Sequence, residues 1–162
     1  MSNNYRHVRG EHNPTPFLTK TGLAYEIGDL MYLDPADGDT VKPAANIAWD
    51  TSLAVTQETF QDTFFGVCNQ AALAAQTARK LVASTTGVHR YPCAALGAAL
   101  EAGTLFGVAK QTGDFLENQK VVAVATADLA IGRLAENAPA GATSVLIEIV
   151  SSVTLGGAQA IA

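Results

Sequence analysis

The chain has 162 residues, enough for one compact domain with tails and for a core that needs neither metal nor disulfide. Its formal net charge of −5 leaves no basic footprint for a nucleic-acid backbone, and no apolar run of about 18 residues is present to span a bilayer. Hydrophobic residues make up 48%, yet 29 residues are alanine, so the core is thin and gains from surface shared with neighbouring subunits.

The first residues, MSNNYRHVRGEHN, are too polar for a signal peptide, and a soluble protein made in the cytoplasm is expected. Residues 1–22 differ from the rest in composition. They carry Arg6, Arg9 and Lys20, and the prolines at 14 and 16 favour extended backbone and cannot donate to a ladder. An arm is expected here rather than a core strand. It is either a disordered terminus or an extended tail that lies on a partner, with Arg6, Arg9 and Lys20 supplying charge and Phe17 an anchor.

Strand-like alternation begins at Leu23, with a bend at Gly28-Asp29 before Leu30, Met31, Tyr32 and Leu33. DPADGD at 34–39 crowds carboxylates around a glycine, but its spacing is wrong for a twelve-residue calcium loop and no glutamate closes it. A solvated turn is the better reading. Residues 41–49 resume extended structure and end on Trp49, the only tryptophan and a natural packing anchor. Asp50-Thr51-Ser52 then caps a short helix through about Asp62.

FFGVCNQ at 64–70 reads as a buried strand, and 70–79 as a short helix or a loop. Residues 80–84 and 86–93 read as two strands. In the second, His89 and Cys93 share a face, but four strand residues span about 13 Å, too far for a nucleophile and its base. Two buried thiols, Cys68 and Cys93, are expected unless the fold brings them together as a disulfide. Residues 97–153 continue as short apolar strands between polar or glycine turns. FGVCNQ, FGVAKQ and IGRLAE at 65–70, 106–111 and 131–136 form a weak echo, and glycine inside a strand signals a bulge or a close backbone approach. The last strand, 143–153, is apolar on both faces, so Leu146 and Val150 are expected at a subunit interface. The tail, 155–162, is either disordered or docked.

The residues thus predict a mainly β chain: a compact β-barrel or β-sandwich at 23–154 with one short helix, the extended N-terminal arm and a flexible C-terminal tail. No phosphate-cradling loop, zinc spacing, GxSxG or paired carboxylates in apolar sequence occurs. No cofactor, metal or catalytic residue is expected, and an enzyme using scattered side chains ranks last.

The succession GDLMYLDPADGDTVKPA, TQETFQDTFFGVCNQ, TTGVHRYPC, GTLFGVAK, LENQKVVAVATADLAIGRLAE and GATSVLIEIVSS resembles the capsid decoration, or cement, proteins of tailed bacteriophages over about residues 23–153. That resemblance implies a β-rich, often trimeric domain on the outside of the virion that binds and bridges major capsid protein subunits. The alternative from another class is an adhesin or fibre module that binds carbohydrate or protein.

Overall fold

The computed structural model describes residues 7–158. Among these residues, eleven strands and two α-helices occur in this order, besides short 3-10 turns: β1 (His7–Arg9), β2 (Pro14–Leu18), β3 (Leu30–Asp34), β4 (Thr40–Pro43), α1 (Leu53–Asp62), β5 (Phe64–Cys68), β6 (Lys80–Ser84), β7 (Thr86–Pro92), β8 (Leu105–Lys110), β9 (Leu116–Ala123), β10 (Gly132–Leu134), β11 (Ser144–Val150) and α2 (Ser152–Leu155). They form two antiparallel sheets, β1-β7-β11-β10-β8-β9 and β2-β6-β5-β3-β4. The mainly β expectation holds.

Without β1, the six-stranded sheet repeats the other sheet strand for strand, with β7 to β11 in the places of β2 to β6. The registers repeat too. Met31 lies opposite Pro43 and Gly66, and Phe106 opposite Ala123 and Gly132. Each sheet curls until its far edges touch at one parallel bridge, Thr19 to Val41 and Cys93 to Val121. Neither closes into a barrel. The entry loops are pinned alike: the Gly28 amide donates to Cys68 O at 2.8 Å, and the Gly103 amide to Leu134 O at 2.8 Å. The chain is therefore two copies of one five-stranded module in tandem.

Each module has its own filling. Phe17, Tyr25, Met31, Phe65 and Leu81 pack inside the first curl, and the register places Tyr91, Leu100, Phe106, Ile131 and Val145 at the matching positions of the second. Further apolar side chains, Leu30, Tyr32, Phe60 and Phe64 among them, join the second filling in one cluster across the junction. The glycine echo is explained in part by the repeat. Gly66 and Gly132 are counterparts, and a Cβ on either would overlap a backbone carbonyl of the next strand, Ser84 O or Glu148 O. Gly107 lies in β8, a counterpart of Tyr32, and is small for a separate reason: Leu129 O of the β9–β10 connection sits against it.

The helix is where the sequence places it. Ser52 caps α1, its hydroxyl accepting from the Val55 amide, and Thr56, Gln57 and Phe60 form the buried side. Residues 70–79 are loop, and a second, single-turn helix, α2, follows the last strand. Trp49 packs against the main cluster as an anchor.

The N-terminal segment differs from expectation. From His7 onward it is no free arm: β1 pairs with β7, and β2 pairs along its whole length with β6. The prolines permit this because β2 is an edge strand. The Thr19 amide bonds inward to Arg79 O, which sets 15 and 17 facing β6 and turns 14 and 16 outward, where no N–H is needed. The two modules meet at a single residue, Thr85, between β6 and β7. Thr85 is fully buried and held on several sides. Its amide donates to His12 O, its hydroxyl to Asn13 O, and its carbonyl accepts from the Ser151 amide.

Candidate functional site

The charged residues expected to reach a partner are largely engaged within the chain. Arg9 donates through Nη2 to Ala135 O at 3.4 Å and lies 3.7 Å from Glu136 Oε2, pinning β1 across to the second module. Lys20 Nζ sits 2.6 Å from Asp37 Oδ1, and Lys42 Nζ bridges Asp34 and Asp37 at 2.8 and 2.7 Å. This network explains DPADGD. The Asp34 carboxylate accepts from the Ala36 amide, Gly38 takes the left-handed conformation at the end of a single 3-10 turn, and the carboxylates neutralise two lysines. The hydrogen bond from Lys20 first, and that from Lys42 second, hold the Asp37 carboxyl below the usual carboxylate range. Among the described residues, no group of three or more His, Cys, Asp or Glu is placed to hold a metal ion.

Phe17 is not an exposed anchor. Its ring is 5% exposed and packs against Tyr25 and Phe65, because β2 is built into the first curl. Arg6 falls outside the described residues. At the expected subunit interface, Leu146 is 6% exposed, buried by its own chain: β11 runs between β7 and β10, and Leu146 O accepts from the amide of Ala135, the residue that Arg9 caps. Val150 is half-buried and its amide donates to Ile131 O.

Both cysteines are free and buried. Burial pushes the Cys68 thiol up to about 12, and its Sγ faces Gln70 O. Burial also raises the Cys93 thiol, whose Sγ lies 3.7 Å from Ala142 O. His89 turns its Nε2 to Thr86 O at 3.0 Å, so the ring and the Cys93 thiol serve different partners. All three histidines instead gather where β1 meets β7. The His7 ring lies 5.1 Å from that of His12 and 5.4 Å from that of His89. His89 is fully buried, and desolvation, helped by the other two rings, lowers its pKa to about 4.

A feature that sequence reading missed lies at the module junction. β9 of the second module carries Asn118 and Gln119 onto the first. Asn118 Oδ1 accepts from the Ala45 amide at 2.7 Å, and Gln119 Nε2 donates to Asp29 Oδ1 at 2.9 Å and Ile27 O at 3.3 Å. Tyr91 Oη adds a bond to Gly28 O at 2.8 Å. Gly28, Asp29, Leu30 and Ala44 are buried beneath this cover. Burial pushes the Asp29 carboxyl up to about 6 despite its hydrogen bonds. The matching positions of the second module, Gly103, Thr104, Leu105 and Val124, are only half-buried. They line an open groove of about 540 Å³ with residues 125–128. The only available hint in the sequence is the recurrence of Gly-Asp-Leu at 28–30 as Gly-Thr-Leu at 103–105.

No helix among the described residues is long and apolar enough to cross a membrane. No known protein family matches the chain, and no curated protein matches it either.

Proposed function

We propose that this chain is a decoration protein of a tailed-bacteriophage head, acting without catalysis from the outer surface of the capsid to bridge major capsid protein subunits and stabilise the shell. The observation that carries the reading is the double module itself: two curled sheets joined through one buried residue, with a continuous apolar cluster across the junction. A protein that bridges subunits gains from such rigidity, since little ordering entropy is then lost on binding. The buried titratable groups serve the fold: Asp29 receives Gln119, His89 faces Thr86 O, and Cys68 faces Gln70 O. The strand and turn succession that resembles decoration proteins runs through both modules. A specific contact needs about 1,200 to 2,000 Å² in total, and many symmetry-related copies make modest contacts effective.

The test is co-sedimentation of the purified protein with expanded, undecorated heads across a salt series. Saturable binding, together with heads that survive a higher temperature, is expected. Failure to bind at every salt concentration overturns the reading. One exposed aromatic, Phe115 at 52% exposure in the β8–β9 turn, favours an adhesin or fibre module as the second reading, because carbohydrate stacks on such rings. Binding to a glycan array that Phe115→Ala abolishes would establish it instead.

A further inference from the structure

The three histidines of the chain meet where β1 lies along the edge of β7. His7 stands opposite His89 in the β1–β7 register, with the two rings 5.4 Å apart and edge to face, and the His12 ring lies 5.1 Å from that of His7. They differ in depth. His89 is fully buried, His12 half-buried and His7 exposed, so the outer two rings cover the inner one. Gly87 makes room for this stack, since a Cβ there would stand 3.1 Å from the His7 ring. Opposite residues of antiparallel strands share a face. His89 therefore shares its face with His7 and, on β11, with Ile147, whereas Arg9, Arg90, Arg133 and Glu148 lie on the other face. Glu11, between the two outer rings in sequence, is exposed, and α2 beyond β11 carries no charge. Burial first, and the two outer rings after it, hold the His89 pKa down at about 4.

The cluster sits under a lightly held strand. Among the described strands, β1 alone lies outside the repeated module. It has three residues, all exposed, and its pairing with β7 shifts register between His7 and Arg9. The next residues hold the joint: Glu11 O accepts from the Thr86 hydroxyl, His12 O from the Thr85 amide and Asn13 O from the Thr85 hydroxyl. From Pro14 onward the chain is fixed separately, by pairing with β6.

We propose that His7, His12 and His89 form an acid-opened latch, which keeps residues 7–13 on β7 and Thr85 at neutral pH and lets them lift away on acidification while both modules stay folded. Imidazole is the side chain that takes up a proton in mildly acidic water, and like charges gathered this closely repel. Lifting the segment uncovers His89 and lets its ring charge in water. Because the covered value of about 4 lies below the ordinary 6.5, the closed state is favoured above pH 6.5 and loses ground as pH falls towards 4. For a ring fully hydrated in the open state, the open-to-closed ratio at pH 5 is about 25 times that at pH 7.5. Opening removes the ties that His12 and Asn13 make to Thr85 and leaves that from Ser151. The joint between the modules loosens without either one unfolding. The latch is a property of the chain alone and does not depend on the capsid reading.

A nitroxide on Val8→Cys reads the latch in the full chain, because Val8 is exposed and both native thiols are buried away from the label. Its spectrum is expected to pass reversibly from restrained at pH 7.5 to mobile near pH 4.5, with far-ultraviolet circular dichroism and Trp49 fluorescence unchanged. A label equally restrained or equally mobile at the two values, or one released only as the whole chain unfolds, overturns the inference. His89→Gln is expected to remove most of the pH dependence. His7→Gln, an exposed change that leaves the core intact, is expected to move the midpoint of release to lower pH. Release at the wild-type midpoint in either variant overturns the latch.

Discussion

Replacing Asp29 by asparagine tests the electrostatics of the module junction. The carboxyl is 2% exposed, accepts from the Glu26 amide at 2.8 Å and from Gln119 at 2.9 Å, and has its pKa pushed up to about 6 by burial. An ordinary aspartate titrates near 3.9, so the shift is about two units, and each unit corresponds to about 1.4 kcal/mol. Because the folded value is the higher one, the native state holds its proton more tightly. This group therefore favours folding fully below about pH 4, less as pH rises from 4 to 6, and least above 6. Asparagine never ionises, but it keeps a single oxygen, for the Glu26 amide, and sets an NH2 against Gln119 Nε2, a pH-independent cost of about 1–3 kcal/mol. Relative to wild type, Asp29→Asn is therefore expected to gain up to about 3 kcal/mol between pH 4 and pH 7.5. Urea unfolding followed by Trp49 fluorescence from pH 4 to 8 reads the difference between the two proteins, and other titrating groups cancel in that difference. A difference between the two proteins that does not grow from pH 4 to pH 7.5 would refute the account.

Histidine 89 gives the opposite pH profile. Its folded pKa of about 4 lies below the ordinary value near 6.5, so its contribution is complete above about pH 6.5 and is lost as pH falls towards 4. His89→Gln is expected to flatten that part of the stability curve, checked by melting temperature against pH. Gly66→Ala and Gly132→Ala each press a methyl into a backbone carbonyl and are expected to cost about 2–4 kcal/mol in urea unfolding. Gly141→Ala has a positive φ but open space, and is expected to cost about 1 kcal/mol. Tyr91→Phe leaves Gly28 O without its partner at the junction, an expected loss of about 1–3 kcal/mol by the same assay.

Much of the element-level fold was legible because local chemistry and tertiary packing agree. Ser52 caps the helix it was read to cap, and Gly28 turns the chain into β3. The two prolines led to a free arm because proline opposes a central strand, whereas the edge of a sheet leaves their missing N–H groups facing outward. Phe17 then had a core to join. Leu146 is buried within the chain and Val150 is half-buried, a difference along one strand face that alternation of residue type does not reveal. The repeat escaped notice because its signature lies in register rather than in residue type: Tyr25 with Ala72 and Leu100 with Ala138 form the same bridge from different side chains. Of the candidate surfaces, the groove was the least legible, since its existence depends on which half of a repeated junction is left uncovered.

Thr85 gives the joint between the modules a mechanical character. A linker of several residues would let the halves swing, and any force on one would be spent in bending the connection. Here the single connecting residue is clamped by the N-terminal segment at His12 and Asn13 and by Ser151 beyond the last strand. The segment before β2 and the residue after β11 thus seal the point where one module passes into the other. Tension between the modules is resisted as by a weld, and the joint gives way only when both have been peeled from it.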